Sequence, residues 1–490
     1  MRDRFPAPIY DQTVLAVNFE DAKKYFLDFL LEIHKAHALM LCRQGLMPRR
    51  EAKVCLRTLD RLDRATLATA TREGSCEDLF FHVEMCLLEE CGVEVAGKTR
   101  IARSRNDFDI TMYRMAARRE ILELTSAVIE LSGALLGWAA DHVRTLMPAY
   151  THTQPAQPTT LAHYLMAAVE FLGRDVERLQ AAFATVNRSP LGACAITTTG
   201  FPIDRAYTAQ LLGFEGLQFN SYGAIADVDY FTEAAGVVAV AMVNLGRLVQ
   251  DFLLWCSEEF GFLRLSDGYV QVSSIMPQKR NPVALEHTRI LASKALGQAQ
   301  AVLTCSHNTP FGDIVDSEDD VQPLVLSMFR DATRAVRLLT GLVAGAEVRS
   351  QRLRQRVYNT PLTVTELADT LVRDEGLSFS LAHQLVSEAV KEAGAAYTHR
   401  RMVRALKRLA PKLIQRRLKT TEQQCLRALD PMRFVEVRKV DGGPAPSRMQ
   451  DAMARARTEI KSSRTWLARK QRLLQNYPNR IEQAIAALGK

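Results

Sequence analysis

Five long runs of helical periodicity dominate the middle of this 490-residue sequence and restrict the folds open to it. In each run, apolar residues recur at three- and four-residue spacing, which is typical of α-helices with broad buried faces. The runs cover roughly residues 111–146, 159–186, 230–260, 282–306 and 322–347. Alternating β-branched stretches are few and Asn-Gly turns are absent, so strand signals are weak. The sequence therefore predicts an all-α protein built on a long bundle whose apolar faces also contact other subunits.

Shorter patterns flank the bundle and predict three units. We expect an N-terminal helical domain at 1–107, the long-helix bundle at 108–350 and a small C-terminal helical domain at 351–490. Helical patterns beyond about residue 350 are shorter and more basic, and DGGPAPS at 441–447 is typical of a flexible turn.

The net charge of +8 is concentrated near the C-terminus. Residues 397–440 contain 13 Lys and Arg against 3 Asp and Glu. We interpret this segment as a solvated helical face or an anion-steering surface, with a polyanionic partner as the alternative. Because no RNA- or DNA-binding motif accompanies it, no nucleic-acid partner is expected.

Other signals bear on compartment and cofactors. The start, MRDRFPAPIY, lacks the apolar core of a secretory signal, and the longest apolar run, 234–243, is too short to span a membrane. The nine cysteines form no CxxC pair and no zinc-ligand cluster, so we expect reduced thiols in a cytoplasmic protein. No phosphate loop or dinucleotide fingerprint occurs, and we expect no metal, cofactor or membrane contact.

Two polar interruptions carry the first candidate site residues. In SRNDFDIT (104–111), Asn106 or Asp107 could simply cap the helix that follows, but a cap does not explain Arg105. A guanidinium beside free helix-terminal N–H groups is well suited to a carboxylate. In YTHTQPAQPTTLAH (150–163), His152 stands among polar residues in a proline-rich segment. A lone histidine is more often structural or on the surface than catalytic, but this rigid polar setting before a long helix strengthens the catalytic interpretation.

A third interruption, VSSIMPQKRNPVALE (272–286), combines hydroxyls, cations and an asparagine. Asn281 and Pro282 are predicted as the N-cap and first residue of the next helix, so that Lys279 and Asn281 flank its positive end. Glu286, on the first turns, could orient a histidine brought from elsewhere. The alternative is that Ser273 and Ser274 only satisfy the loop backbone. Together the three interruptions favour proton abstraction next to a carboxylate over hydrolysis or redox chemistry.

These motifs carry a family resemblance. SSIMPQKRNP resembles the signature loop of the fumarase/aspartase superfamily, and RSRND, YTHTQPAQP and SPLGACAITTTGFPIDR resemble argininosuccinate lyases, in the same order, over about 75–325. The resemblance implies a three-domain, all-helical homotetramer with a central core of 20 helices. Active sites are then shared among three subunits, the substrate is a small dicarboxylate, and fumarate is released by β-proton abstraction.

The resemblance also implies a role for each matching residue. Ser273 matches the catalytic base, His152 the histidine of the acid–base machinery, and Glu286 the carboxylate paired with that histidine. The residues that match substrate-binding positions are Ser104, Arg105, Asn106, Thr151, Gln157, Lys279 and Asn281.

Departures from the family gather at the amine end of the substrate. Asp313, Glu318 and Val321 stand where argininosuccinate lyases carry groups that hold the arginine part. Val228 replaces an arginine, Phe80 a histidine, and Val272 the signature glycine. The hypothesis is therefore a C–N lyase for an N-substituted aspartate with a leaving amine other than arginine, cationic or diamine-like. The alternatives are a genuine argininosuccinate lyase, an inactive lyase-fold protein with a structural or binding role, and an adenylosuccinate lyase, which SRND disfavours.

Overall fold

The computed structural model describes residues 5–62, 65, 67, 69–72 and 76–489, and this part of the chain is mostly helical, as predicted. Its first helices are α1 (Pro8–Tyr10), α2 (Ala16–Tyr25), α3 (Leu27–Arg43), α4 (Arg49–Arg61), α5 (Leu79–Cys91) and α6 (Val93–Ala96). A π-helical turn, Asp11–Leu15, joins α1 to α2, and a 3-10 turn, Gly97–Arg100, follows α6.

The long helices form the predicted bundle: α7 (Arg105–Asp141), α8 (Leu161–Val186), α11 (Asp229–Cys256), α12 (Val283–Ser306) and α13 (Gln322–Gly345). Helix α7 packs against α8 and α13, while α12 packs against both α11 and α13. Two short helices, α9 (Arg205–Leu211) and α10 (Ser221–Ala226), precede α11. The bounds agree with the periodicity to within a few residues except at α7. This helix begins earlier than predicted because its polar first turn conceals the apolar repeat, and it also ends earlier, at Asp141.

The weak strand signals concealed a β-hairpin at 146–160. Strand β1 (Leu146–Thr151) pairs antiparallel with β2 (Gln154–Thr160), and the register shifts at Ala149 and Tyr150. Prolines in β2 and the lack of an Asn-Gly turn hid this hairpin from the sequence. The remaining strands have two residues each and pair β3 (Leu263–Arg264) with β6 (Glu347–Val348), and β4 (Gln271–Val272) with β5 (Arg280–Asn281).

Six shorter helices follow the bundle: α14 (Ser350–Tyr358), α15 (Val364–Glu375), α16 (Phe379–Ala393), α17 (His399–Leu413), α18 (Glu422–Ala428) and α19 (Pro431–Glu436). Buried residues within 367–429 form a core of their own.

The final helix, α20 (Pro446–Gly489), has 44 residues, so the expectation of only short helices after about 350 is wrong. Its Met453, Leu467 and Ile481 belong to the main core, because α20 packs along α7 and α8. The division at 107 and 350 stays a prediction, with the qualification that α20 packs with the bundle.

Polar segments lie at two opposite ends of the bundle. Helix α7 has 37 residues, a length of about 55 Å. At its start, which we call the α7-start end, Tyr113 donates to Asp319 (2.8 Å) and brings the 313–320 segment beside residues 104–107. At the other end, the hairpin end, Tyr164 of α8 donates to Asp251 of α11 (2.6 Å). The hairpin and the loop at 265–281 both lie at that end.

Two bundle helices, α7 and α11, are long and apolar enough to cross a membrane by length and composition, a point that the short run at 234–243 did not reveal. In α7, 67% of the most apolar window is buried inside the fold, and in α11 44% is buried. Buried core helices have the same composition, so this is weak support for a membrane span. The nine cysteines are free thiols.

Candidate active site

The start of α7 is fixed by a capping box. Ser104 is the N-cap, and its hydroxyl accepts from the backbone N–H of Asn106 (3.4 Å), while the Asp107 carboxylate accepts from the backbone N–H of Ser104 (3.0 Å). The prediction that Asn106 or Asp107 is the cap is therefore wrong by two or three positions, because Ser104 has the extended backbone that a cap needs. The Asn106 side chain donates instead to the Ala195 carbonyl (3.3 Å).

Asp107 ties the 190–200 loop to the same helix start. Its second oxygen accepts from the backbone N–H groups of Gly192 (2.8 Å) and Cys194 (3.1 Å). Burial raises the pKa of Asp107 to about 7 despite these hydrogen bonds. Gly192 has φ +89°, and a Cβ there would lie 2.6 Å from a side-chain carbon of Arg205, so the close approach requires glycine.

Arg105, predicted to bind a substrate carboxylate, is surrounded by carboxylates of the protein itself. Nitrogen–oxygen distances from its guanidinium are 3.0 Å to Glu77, 3.1 Å to Asp78, 3.7 Å to Asp109 and 3.9 Å to Glu318. Burial lowers the pKa of Arg105, but these carboxylates outweigh it and raise that pKa above its ordinary value. The acidic cluster is the set Glu77, Asp78, Asp109, Glu318 and Asp319.

Glu318 is a buried member of the acidic cluster. It is 3% exposed, and burial, the charge of Asp313 and a hydrogen bond that protonated Glu318 donates to Asp313 raise its pKa to about 8. Burial, followed by the charges of Asp319 and Asp78, also raises the pKa of Asp109 well above its ordinary value. The cluster therefore binds protons near neutrality, and a bound cation would favour its ionised form.

The other predicted specificity positions lie around this cluster. Val321 is buried as the N-cap of α13, and Val228 is half-buried as the N-cap of α11. Phe80 is 5% exposed and stacks on His34 with ring centroids 5.5 Å apart. Its ring also packs edge-to-face against Phe108, with centroids 5.4 Å apart.

Sequence reasoning missed the acidic members Glu77, Asp78, Asp109 and Asp319. A usable signal was present, since Asp109 follows Arg105 at the i,i+4 spacing of helical ion pairs. The Glu77-Asp78 pair also lies just before Phe80, the position that matches the family's histidine.

At the hairpin end, His152 lies in the turn between β1 and β2. Both turn residues have positive φ, 51° at His152 and 60° at Thr153, which is the type I′ pattern that normally selects Asn-Gly. Such a backbone costs about 1–3 kcal/mol per non-glycine residue and is typical of functional sites. Thr151 and His152 are exposed, and Gln157 donates to the Thr365 hydroxyl (3.3 Å).

The signature loop lies at the same end and is closed by β4 and β5. The Ser273 hydroxyl accepts from the backbone N–H groups of Ile275 (3.4 Å) and Met276 (3.1 Å). Ile275 is 82% exposed, which leaves an apolar side chain uncovered in a single chain. The loop is anchored by Arg280, which donates to Asp267 (2.6 Å).

The prediction of Asn281 as a helix N-cap is wrong. Asn281 pairs with Gln271 in the short β4–β5 ladder, and Pro282 is the N-cap of α12. Lys279 is exposed on the loop, and Glu286 lies in the first turn of α12, as predicted. Within the part of the chain that the structure describes, no hydrogen bond or ion pair joins Ser273, His152 and Glu286 to one another.

The predicted site residues of one chain thus fall into two groups at opposite ends of the bundle. Ser104, Arg105, Asn106 and Glu318 lie at the α7-start end, whereas Thr151, His152, Ser273, Lys279 and Glu286 lie at the hairpin end. Among the described residues, no group of three or more His, Cys, Asp or Glu side chains is arranged to hold a metal ion.

Comparisons with known proteins decide the family. A family model described as "Lyase" matches residues 35–297, and one described as "Argininosuccinate lyase C-terminal" matches residues 361–436. The argininosuccinate lyase 2 of Agrobacterium fabrum is 41% identical over 93% of this chain and 91% of its own length. The chain belongs to the argininosuccinate lyase branch of the fumarase/aspartase superfamily. It is a carbon–nitrogen lyase that releases fumarate.

Other relatives agree with this assignment. The argininosuccinate lyase of Methanosarcina barkeri is 35% identical over 95% of this chain and 94% of its own length. Among solved structures, an EDDS lyase variant with bound fumarate superposes with a TM-score of 0.88 at 32% identity, covering 98% of this chain and 96% of that one. The fumarase/aspartase-type all-α fold predicted from the motifs is therefore confirmed.

Proposed function

We propose that this lyase eliminates fumarate from an N-substituted aspartate whose leaving amine is not arginine and carries a positive charge. The observation that carries the proposal is the buried Glu318, hydrogen-bonded to Asp313, at the position where argininosuccinate lyases hold the arginine part. Carboxylates there repel the carboxylate of an amino-acid leaving group and attract an ammonium. A diamine-like leaving group satisfies both conditions.

The SRND segment and the 313–320 segment lie close together, which supports a single substrate that contacts both segments. Glu318 lies 3.9 Å from Arg105, and the Asn106 side chain adjoins the 190–200 loop. Because the acidic cluster already surrounds Arg105, we assign the succinyl carboxylates mainly to Ser104, Asn106 and the hairpin-end groups. In this assignment the positive charge of Arg105 partly neutralises the acidic cluster, and Arg105 is not the only group that binds the substrate carboxylates.

The chemical step begins with removal of a β-proton by Ser273. The resulting dianionic carboxylate is stabilised by Lys279 and Asn281, which place a charge and an amide where negative charge develops. The C–N bond then breaks, its electron pair goes to nitrogen, and the leaving amine takes up a proton. His152, paired with Glu286, supplies or relays that proton.

This chemistry requires more than one copy of the chain. Residues at the α7-start end and at the hairpin end are separated by a helix of about 55 Å, yet the substrate must contact both groups. Exposed apolar residues such as Val240 and Val243 of α11 provide surface for neighbouring chains. We therefore propose a homotetramer in the cytoplasm, with each site shared among three subunits.

The similarity to EDDS lyase supports a leaving amine other than arginine, because that enzyme has the same fold and is named for a substrate other than argininosuccinate. The second candidate is argininosuccinate itself, and the specific observation in its favour is the 41% identity to an argininosuccinate lyase.

The test compares fumarate release from argininosuccinate, N-(aminoethyl)aspartate and N-(hydroxyethyl)aspartate, measured by ultraviolet absorbance. The last two differ in charge but hardly in length, so they isolate the ammonium. We expect the aminoethyl substrate to have the highest kcat/KM, by at least about tenfold. Efficient turnover of argininosuccinate with none of the aminoethyl compound would establish the second candidate instead.

A further inference from the structure

A polar cavity lies beside the hairpin that carries His152, at the hairpin end of the bundle. Its volume is about 570 Å³, large enough for a small molecule. Three elements enclose it: the hairpin, the turn at 259–262 after α11, and the exposed face of α14. The residues that line it are Tyr150, Thr153, Gln154, Pro155, Glu259, Phe260, Phe262, Arg352, Gln355, Arg356 and Asn359.

Two arginines dominate the charge of this cavity. Arg352 and Arg356 are one helical turn apart on α14 and therefore lie on one face. Arg352 donates to the backbone carbonyls of Phe260 and Glu258, both at 3.4 Å. Arg356 shares a hydrogen bond with the Tyr150 phenol. Neither guanidinium forms an ion pair with a carboxylate of the described residues, although Glu259 lines the same cavity.

Neutral donors complete the lining. The side-chain amides of Gln355 and Asn359 also line the cavity, and neither makes a hydrogen bond to the described parts of the chain. An oxyanion is bound by N–H donors around its oxygens. The cavity presents two guanidinium groups and two side-chain amides, and each of these groups offers such donors. The single carboxylate leaves the cavity with an excess positive charge.

We propose that this cavity binds a small oxyanion, a carboxylate or a phosphate, which joins the hairpin to α14. Thr153 and Gln154 line the cavity, and His152 is the next residue along the chain. An oxyanion held between Arg356 and the hairpin therefore restrains the turn that positions His152. The site is independent of the leaving amine, so its test does not depend on the substrate proposed above.

The test is isothermal titration of the intact enzyme with inorganic phosphate and, separately, with acetate, at a constant ionic strength set by chloride. Phosphate binding tighter than acetate binding identifies a phosphate site, and the reverse order identifies a carboxylate site. Arg356→Gln is expected to weaken the preferred ion at least about tenfold, the usual effect of losing a charge-assisted hydrogen bond. Asn359→Asp, at an exposed position, is expected to weaken it similarly by adding negative charge.

The matched control is Arg354→Gln on the same helix. Arg354 is exposed, stacks over Tyr358 at 5.0 Å and does not line the cavity, so the same change of charge should leave ion binding unaltered. The proposal is overturned if neither ion binds saturably to the wild-type enzyme. It is equally overturned if Arg354→Gln weakens binding as much as Arg356→Gln and Asn359→Asp do.

Discussion

The guanidinium of Arg105 lies 3.9 Å from the carboxylate of Glu318, and this ion pair joins the SRND segment to the 313–320 segment. One arginine faces the whole acidic cluster, so negative charge exceeds positive charge when the cluster is ionised. Burial and the neighbouring Asp313 raise the pKa of Glu318 to about 8, so that protonation of Glu318 reduces the excess negative charge. A cationic ligand would supply the missing positive charge and displace that proton.

The KM of a cationic substrate is predicted to depend on Glu318. Since a bound ammonium favours the ionised carboxylate, KM should fall as pH rises toward about 8 and level off above it. Glu318→Gln should remove this dependence and raise KM at least about tenfold, because a buried charge partner is lost. The measurement is the KM for fumarate release from N-(aminoethyl)aspartate across the pH range.

Asp316→Asn is the matched control for that experiment, since Asp316 is an exposed acid two residues away. Its KM and pH profile should follow the wild type. An unchanged profile in Glu318→Gln would argue that the amine binds elsewhere.

Asp107→Asn is predicted to destabilise the α7-start end. Asp107 accepts three backbone N–H groups, and an amide cannot do so without turning its own NH₂ toward one of them. One buried donor without an acceptor costs about 1–3 kcal/mol. Thermal unfolding should show a lower Tm, whereas Asp141→Asn, at the exposed far end of α7, should change little.

The pH dependence of stability gives an independent check on Asp107. Its pKa in the folded protein, about 7, is raised above the ordinary 3.8. Its contribution is therefore present below about pH 3.8 and is lost as pH rises through about 7. This loss of stability should be absent from Asp107→Asn; an identical slope in both proteins would contradict the assigned pKa.

The sequence predicted the elements that depend on local pattern and missed those that depend on tertiary contact. Apolar periodicity located α8, α11, α12 and α13 because a buried helix face repeats every turn or so. The hairpin was not predicted because its turn, His152-Thr153, adopts a positive-φ backbone that those residues disfavour. The surrounding fold must impose that backbone.

The sequence did not predict the acidic cluster, for a different reason. Its members come from 77–78, 109 and 318–319, and only the packing of α5, α7 and the 313–320 segment brings them together. Local reasoning could identify Arg105 as a carboxylate-binding group but could not show that the protein supplies the carboxylates. The motifs that matched the family, by contrast, needed no tertiary information to indicate a lyase.

Ser273→Ala is predicted to abolish fumarate release while dicarboxylate binding remains. Loss of the proposed base should lower kcat by about 10²–10⁴-fold. Ser274→Ala is the matched control, because Ser274 is the adjacent exposed hydroxyl. Fumarate release and fumarate binding would be measured for both variants. A loss confined to Ser274→Ala would transfer the role of base to that residue, and equal losses would indicate a shared structural role.

Mixing two inactive variants should restore activity if each active site takes its α7-start residues from one chain and its hairpin-end residues from another. Asn106→Ala damages only the α7-start end, and Ser273→Ala damages only the hairpin end, so each pure variant lacks every intact site. In a randomly mixed assembly, about a quarter of the sites combine an intact Asn106 from one chain with an intact Ser273 from another. Refolding the variants together and measuring fumarate release should therefore recover about a quarter of wild-type kcat. A mixture as inactive as its components would mean that the two ends do not serve one substrate, because a helix of about 55 Å prevents one chain from supplying both.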